Sequence, residues 1–298
     1  MRERTRHREK VVMSRRGTTP TVRLRRLASE LRKLRAAADM TRDEVTEITS
    51  INGATLYRLE TAKARPQVRT LRTLLDLYKV EGPLREELQA ILKESAERSW
   101  LHTFERELPD QYTAYIGFEQ EAQRLLNYES LFVPGLLQTE DYARAVIRSM
   151  PPMASREEVE ARIEARLQRQ ALLAQERPLH LWAVIDEAVL HRHVGGRNVM
   201  KAQLRKLHEV SQEPNITLQV VPFNGGAHPG MHGSFIIMQF GEGNEDVIYI
   251  EGTTADLFLE NETDIQRYNL VFEHLRAVAA SPEATRAMVA AVLEAEIK

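Results

Sequence analysis

The chain of 298 residues contains no cysteine. That absence excludes disulfides, thiolate nucleophiles and cysteine-ligated zinc together. Aromatic residues make up only 6% of the chain, and no run approaches the roughly 18 apolar residues of a membrane span. The basic N-terminal stretch MRERTRHREKVVMSRRG has no apolar segment behind it, so a secretory signal is not expected. Neither G-x-S-x-G, nor a Walker A loop, nor a dinucleotide fingerprint is present. The pairs Gly195-Gly196 and Gly225-Gly226 read as turns. His191, His193, His228 and His232 lack the spacing of a metal site, so surface or loop histidines are expected there. Asp186-Glu187 followed by His191 has the periodicity of any helix start. Enzymatic activity, a bound metal and a cofactor are therefore not expected. A cytoplasmic location is expected by default.

What is present divides in two. An apolar fraction of 43% suits a globular chain, and 298 residues are enough for two domains. The net charge of −2 hides an uneven distribution. Residues 1–80 hold 20 Lys and Arg against 9 Asp and Glu, a balance of +11. Residues 81–298 hold 21 against 34, a balance of −13. A basic module beside an acidic remainder is the pattern of a chain that meets a polyanion with one end.

The basic end contains TRDEVTEITSINGATLYRLE, residues 41–60. Thr41 with Glu44 three residues later is a capping-box pattern. Val45 and Ile48 give a first helix one apolar side, the periodicity breaks over 49–52, and Leu56 and Leu59 define a second helix. Val45, Ile51, Leu56 and Leu59 then form the small core of a helix-turn-helix. Asn52, Gly53, Ala54, Thr55, Tyr57 and Arg58 fall on or near the outer side of the second helix, which enters the major groove in such motifs. Arg42, Arg58, Lys63 and Arg65 are candidates for phosphate contacts. Asn52, Thr55 and Tyr57 are candidates for base edges or a thymine methyl. Helix capping is the competing role for Asn52 and Thr55. Glu60 is expected to pair with an arginine of the preceding helix, Arg32 or Arg35, since phosphate would repel it.

Apolar spacing predicts further helices at 22–38 (Leu24, Leu27, Leu31, Leu34), 70–78 (Leu71, Leu74, Leu75, Leu77) and 84–98 (Leu84, Leu88, Ile91, Leu92). The domains follow: a disordered basic arm over 1–20, with Met13 an alternative start; a DNA-binding domain over 21–80; a connecting helix over 81–99; and a second domain over 100–298. An aromatic cluster of Trp100, Phe104, Tyr112, Tyr115 and Phe118 opens the second domain. Helices are predicted there at 118–127, 139–149, 156–175, 198–210, 263–279 and 282–296. Strands are predicted at 179–185, in NITLQVVPF, and in GSFIIMQF and DVIYIEG, with Gly241, Gly243 and Asn244 as hairpin residues between the last two. TADLFLE adds a short strand. The fold class is α+β: an all-helical N-terminal domain, then a mixed helical domain with a small antiparallel sheet. The apolar segment 132–139 reads either as a packed loop or as part of a pocket or partner surface. Tyr112, Tyr115, Tyr128 and Trp182 read as core.

The Thr41–Glu44 start, the apolar quartet, the Arg58-Leu59-Glu60 ending and the basic loop to Pro66 resemble the Cro/C1-type (XRE-like) helix-turn-helix family. The second domain is similar to the effector domain that follows such modules in many actinobacterial, antitoxin-like and WhiJ-type regulators. The matching stretches are Val133-Pro134-Gly135-Leu136-Leu137-Gln138-Thr139 with Tyr142-Ala143, 168–173, 215–223, Gly226-Ala227-His228-Pro229-Gly230 and Tyr249-Ile250-Glu251-Gly252. The chain departs from the helix-turn-helix family where Arg42 and Thr46 replace a Gln and an Ala, where Ser50 replaces a turn Gly, and where Asn52-Gly53-Ala54 replaces Ser-Arg-Ser. A left-handed turn at Ser50 would cost more than at Gly.

The resemblance implies a sequence-specific DNA-binding transcriptional regulator, a repressor by family habit, acting as a homodimer on a double-stranded operator. Its second domain would answer to a small partner protein encoded nearby or to a small-molecule effector. The alternative is an antitoxin-like module that sequesters a small partner, with DNA binding secondary. A nucleotide- or metabolite-processing second domain is disfavoured by the missing motifs.

Overall fold

The computed structural model describes residues 22–94, 104, 107–149, 155–241, 244–253 and 255–297. The expected basic arm over 1–20, Trp100 and Gly243 lie outside the described residues. The chain divides into two compact units, 1–97 and 98–298. No described helix is long and apolar enough to cross a membrane.

The first unit has five helices: α1 Val22–Ala37, α2 Arg42–Thr49, α3 Gly53–Glu60, α4 Val68–Leu77 and α5 Gly82–Glu94. Leucines at three- and four-residue spacing give each long helix one apolar stripe, and the stripes meet. Leu27, Leu31, Val45, Leu56, Leu59, Leu71, Leu74 and Leu75 form one buried core, with Ile51 packed against it half-buried. Each fully buried side chain of this kind contributes about 1.5–3 kcal/mol. Ile48, expected beside Val45, is 60% exposed instead; three residues after a buried position on a helix of eight residues, it falls past the edge of the stripe. The helix expected to connect the domains also differs from expectation. In α5, Leu88, Ile91 and Leu92 join the same core, and Arg26 pairs with Glu87 across α1 and α5. A helix with such a stripe must bury it, so α5 belongs to the first unit, while Leu84 remains at its surface.

Local hydrogen bonding fixes the tight turn. Thr41 caps α2 in a reciprocal box: the Thr41 N–H donates to Glu44 Oε2 at 2.7 Å, and the Glu44 N–H donates to Thr41 Oγ1 at 3.3 Å. The Thr41 N–H and hydroxyl, both donating to Glu44 Oε2, hold that carboxyl below its usual range. Ser50 ends α2 in the left-handed region at φ 57°. Asn52 then caps α3, its Oδ1 accepting from the Ala54 N–H at 2.9 Å.

The second unit is built on one six-stranded sheet in the order β3-β2-β1-β4-β5-β6. The strands are β1 Arg124–Glu129, β2 His180–Asp186, β3 Ile216–Val221, β4 Phe235–Gln239, β5 Val247–Ile250 and β6 Leu257–Leu259. The predicted sheet was small and antiparallel; the observed one is mixed. β1, β2 and β3 run parallel, and β4, β5 and β6 continue antiparallel. Parallel neighbours need long crossovers, here supplied by α7 Glu140–Arg148 with α8 Arg156–Arg169, and by α9 Ala188–His191 with α10 Arg197–Val210. The helix predicted over 118–127 is also corrected. Helix α6, Asp110–Glu121, stops when Ala122 turns extended, and β1 follows. The predicted strand in TADLFLE is β6.

One face of the sheet packs Leu126, Tyr128, Val184, Phe235, Ile237 and Ile248 against Phe272 and Leu275 of α11, Glu262–Val278. The turn from α11 into α12, Pro282–Ile297, covers the β3 edge. The Ala280 N–H donates to Val220 O at 2.8 Å, and the Val220 N–H donates to Thr285 Oγ1 at 3.0 Å. An edge satisfied in this way offers no template for another strand.

The left-handed Ser50 gives a stability prediction. A non-glycine residue there costs about 1–2 kcal/mol, and glycine's extra freedom in the unfolded chain cancels part of the relief. Ser50→Gly should raise the stability of the first unit by about 0.5–1 kcal/mol, read as a higher urea midpoint at unchanged slope. An unchanged or lower midpoint contradicts the strain assigned to Ser50.

Candidate nucleic-acid interface

Glu60, the last residue of α3, is fully buried. A lone carboxylate would not stay ionised there, and two guanidinium groups hold it. Arg35 of α1 donates from Nε to Glu60 Oε1 at 2.6 Å and from Nη2 to Oε2 at 3.3 Å, while its Nη1 donates to Met40 O at 2.8 Å. Arg42 at the start of α2 donates from Nε to Oε2 at 2.7 Å. The hydrogen bond to Glu60 raises the pKa of Arg35. Desolvation, reinforced by Glu60, pushes the nearby Tyr78 phenol up to about 12. The pairing expected for Glu60 thus involves Arg35 and not Arg32. Arg42 enters the same pair, which its sequence position did not indicate. Three helices are joined at one carboxylate.

The remaining predicted residues separate into three groups. Tyr57, 44% exposed, has the Arg42 guanidinium and the Lys63 ammonium each 5.3 Å from its ring centroid. Arg42, Tyr57 and Lys63 therefore form one exposed cationic and aromatic patch. Asn52, Gly53, Ala54, Thr55 and Arg58 occupy the first two turns of α3, with Asn52, Ala54 and Arg58 exposed and Gly53 and Thr55 partly so. The Asn52 cap engages Oδ1 and leaves its Nδ2 donor for another partner. Among the described residues, the Arg58 side chain makes a long contact, Nη2 to Thr55 Oγ1 at 3.5 Å. Gly53 sits close to α2: a Cβ there would lie 3.6 Å from Thr46 Oγ1, an ordinary contact. Arg65 forms the third group by itself. Its Nη2 donates to Leu92 O at 2.7 Å, tying the basic loop to α5. Arg69 at the start of α4 is a further exposed cation beyond that loop, and the pattern of residues 41–60 gave no signal for it.

In the second unit the apolar segment expected as loop or pocket is mostly a buried hydrogen-bonded tie. Gln138 is fully buried; its Nε2 donates to Val133 O at 2.6 Å, and its Oε1 accepts from Arg166 Nη1 at 2.9 Å. The Gln138 carbonyl accepts from Gln170 Nε2 at 2.7 Å and from Lys206 Nζ at 2.9 Å. Gln203 closes the arrangement, donating to Leu137 O at 2.8 Å and accepting from the Thr139 N–H at 2.7 Å. Residues 133–139 thereby bind α7, α8 and α10 together.

A buried ion pair lies nearby that sequence patterns did not reveal. Arg169 donates from Nη2 to Glu119 Oε1 at 2.6 Å and from Nε to Oε2 at 2.5 Å, with the Tyr112 and Tyr115 hydroxyls accepting at 3.0 and 2.8 Å. Burial raises the Tyr115 phenol well above its ordinary value. Only the mutual helical spacing of Tyr112, Tyr115 and Glu119 could have hinted at it.

The histidines mostly follow expectation. His191 stacks on Phe223 and His193 lies 2.9 Å from Glu296, both exposed. His228 differs: its side chain turns inward, edge-on to Tyr128, with Nε2 3.7 Å from Asp186 Oδ2. Gly230, two residues on, explains the close approach, since a Cβ there would lie 2.4 Å from the Tyr128 ring. Asp186 Oδ1 accepts from the Ala188 N–H at 2.8 Å and Glu187 Oε2 from the Phe223 N–H at 2.6 Å; both act as caps. No group of three or more potential metal ligands gathers among the described residues.

Residues 26–88 match a family model described as a helix-turn-helix domain, which supports a DNA-binding regulator. Residues 112–291 match a second, described as Domain of unknown function (DUF5753). Among curated proteins and among solved structures, none matches the chain.

Removing one partner of a buried pair costs about 3–5 kcal/mol. Glu60→Gln should therefore destabilise the first unit by about 3 kcal/mol. Arg42→Gln should cost about 1 kcal/mol or less, because that side chain is 39% exposed and solvent screens it. Thermal unfolding of the two variants checks the order. Equal losses contradict the assignment of Arg35 as the principal partner.

Proposed function

Because the chain belongs to the DUF5753 family and carries a helix-turn-helix domain ahead of it, we propose a transcriptional repressor that reads a double-stranded operator with α3 and is controlled through its second unit. The observation that supports this reading is the exposed first half of α3 on a basic unit, with the one acidic residue of α3, Glu60, paired with arginines in the core.

In this reading Asn52 and Thr55 approach base edges, Ala54 and Tyr57 offer apolar contact to a thymine methyl, and Gly53 lets the backbone come close. Arg58 and Lys63 bind phosphates. Arg42 contributes through the same patch but shares its charge with Glu60, so it adds less. Arg65 supports the loop through its bond to Leu92 and adds its charge to the basic surface. One helix-turn-helix offers a small interface, and a homodimer on half-sites about one helical turn apart supplies the rest. The acidic surplus of residues 81–298 is unsuited to phosphate and suits the second unit to dimerisation and to a small ligand or partner protein.

Binding to the DNA upstream of the chain's own gene tests the assignment. Each phosphate contact contributes about 0.9 to the slope of log affinity against log salt. Arg58→Ala/Lys63→Ala should weaken binding and flatten that slope by about 2, measured at several salt concentrations. Arg42→Ala should flatten it by less. Unchanged affinity and slope in the double variant overturn the DNA-contact assignment.

A further inference from the structure

A cavity of about 1120 Å³ opens in the second unit where β1 ends, β4 begins and β5 ends. It is larger than the roughly 300–1,000 Å³ usual for small-molecule sites, so it admits a ligand with an organic body. Its walls include the rings of Tyr112, Phe132, Tyr249 and Tyr268.

Glu129, the last residue of β1, lines this cavity and is only 7% exposed. Among the described residues its Oε2 has no hydrogen-bond partner, while Oε1 receives a long contact from Asn127 Nδ2 at 3.4 Å and the Ser234 hydroxyl lies beside the carboxyl. Arg166 donates its hydrogen bond from Nη1 to Gln138. Desolvation pushes the Glu129 carboxyl up to about 8, with Ser234 and Asn127 pulling it back and the charge of the Arg166 guanidinium also lowering it. A buried carboxyl left in this state is costly unless something completes it.

The charges around it indicate what that is. Glu158, Glu251, Asp256 and Asp264 join Glu129 on the lining, against Arg162 and Arg267. Arg162 is engaged, pairing with Glu158 at 2.9 Å and lying 5.5 Å from the Tyr112 ring centroid. An anion would be repelled, and a neutral ligand would supply no charge to hold Glu129 ionised. An ammonium group satisfies Glu129 with a charge-assisted hydrogen bond, and aromatic faces attract cations as well.

We propose that this cavity binds a small organic amine, its ammonium group on Glu129 and its body against the aromatic walls. This deepens the proposed control of the second unit and rests on that reading only for its regulatory consequence.

The test uses the full chain and tyramine, with tyrosol and 4-hydroxyphenylacetate as the matched alcohol and acid. Calorimetric titration without DNA should show tyramine binding, tyrosol at least about tenfold weaker, and no binding of the acid. Glu129→Gln should weaken tyramine by about tenfold or more, and Glu251→Gln, a change at an exposed position, by about two- to threefold. Absence of tyramine binding, equal binding of tyrosol, or full affinity in Glu129→Gln overturns the site. A separate operator titration with and without tyramine reads the regulatory step. Bound tyramine with unchanged operator affinity supports the site and contradicts only the control assigned to the second unit.

Discussion

The first unit depends on one buried carboxylate. Glu60 carries a charge that the core would expel, and Arg35 and Arg42 keep it there. Its position is what matters: the end of α3, facing the last turn of α1 and the start of α2. A hydrophobic residue would fill the space without specifying which helices meet there. A bidentate guanidinium–carboxylate contact is directional, so it fixes the angle at which α3 is presented. It also keeps an acidic group away from the surface that would face phosphate.

The second unit uses the same device with neutral groups. Gln138 and Gln203 satisfy the backbone of an apolar loop and tie three helices beside the parallel half of the sheet. The pair Arg169–Glu119 does so with charge. Beside these clusters, Glu129 has one carboxylate oxygen without a hydrogen-bond partner among the described residues. The Tyr128 hydroxyl and His228 Nδ1 are also buried without a partner there, but Glu129 is the one of these whose side chain lines the cavity.

Local patterns were legible in the sequence. The Thr41–Glu44 capping box, the leucine stripes of α1 and α4, and the strands β2 to β5 follow from spacing and capping chemistry that act within a few residues. The failures share a different cause. In β1 both faces are buried, and Asn127 and Glu129 are polar residues on one of them, which erases the alternation that marks a strand. Parallel pairing of β1 with β2 joins residues more than fifty positions apart, so nothing local signals it. The same holds for the site: residues on α3 could be placed on its outer side from period alone. That Arg42 shares Glu60, or that Arg65 is anchored to α5, depends on how distant helices pack.

The central claim is that the exposed half of α3, presented by the Glu60 pair, is what touches DNA. Photo-crosslinking to upstream operator DNA carrying 5-iodouracil in place of thymine tests it most directly. Tyr57 is exposed and aromatic, and the adduct should map by mass spectrometry to residues 53–63, disappearing in Tyr57→Ala. Adducts confined to residues 98–298 would contradict the account.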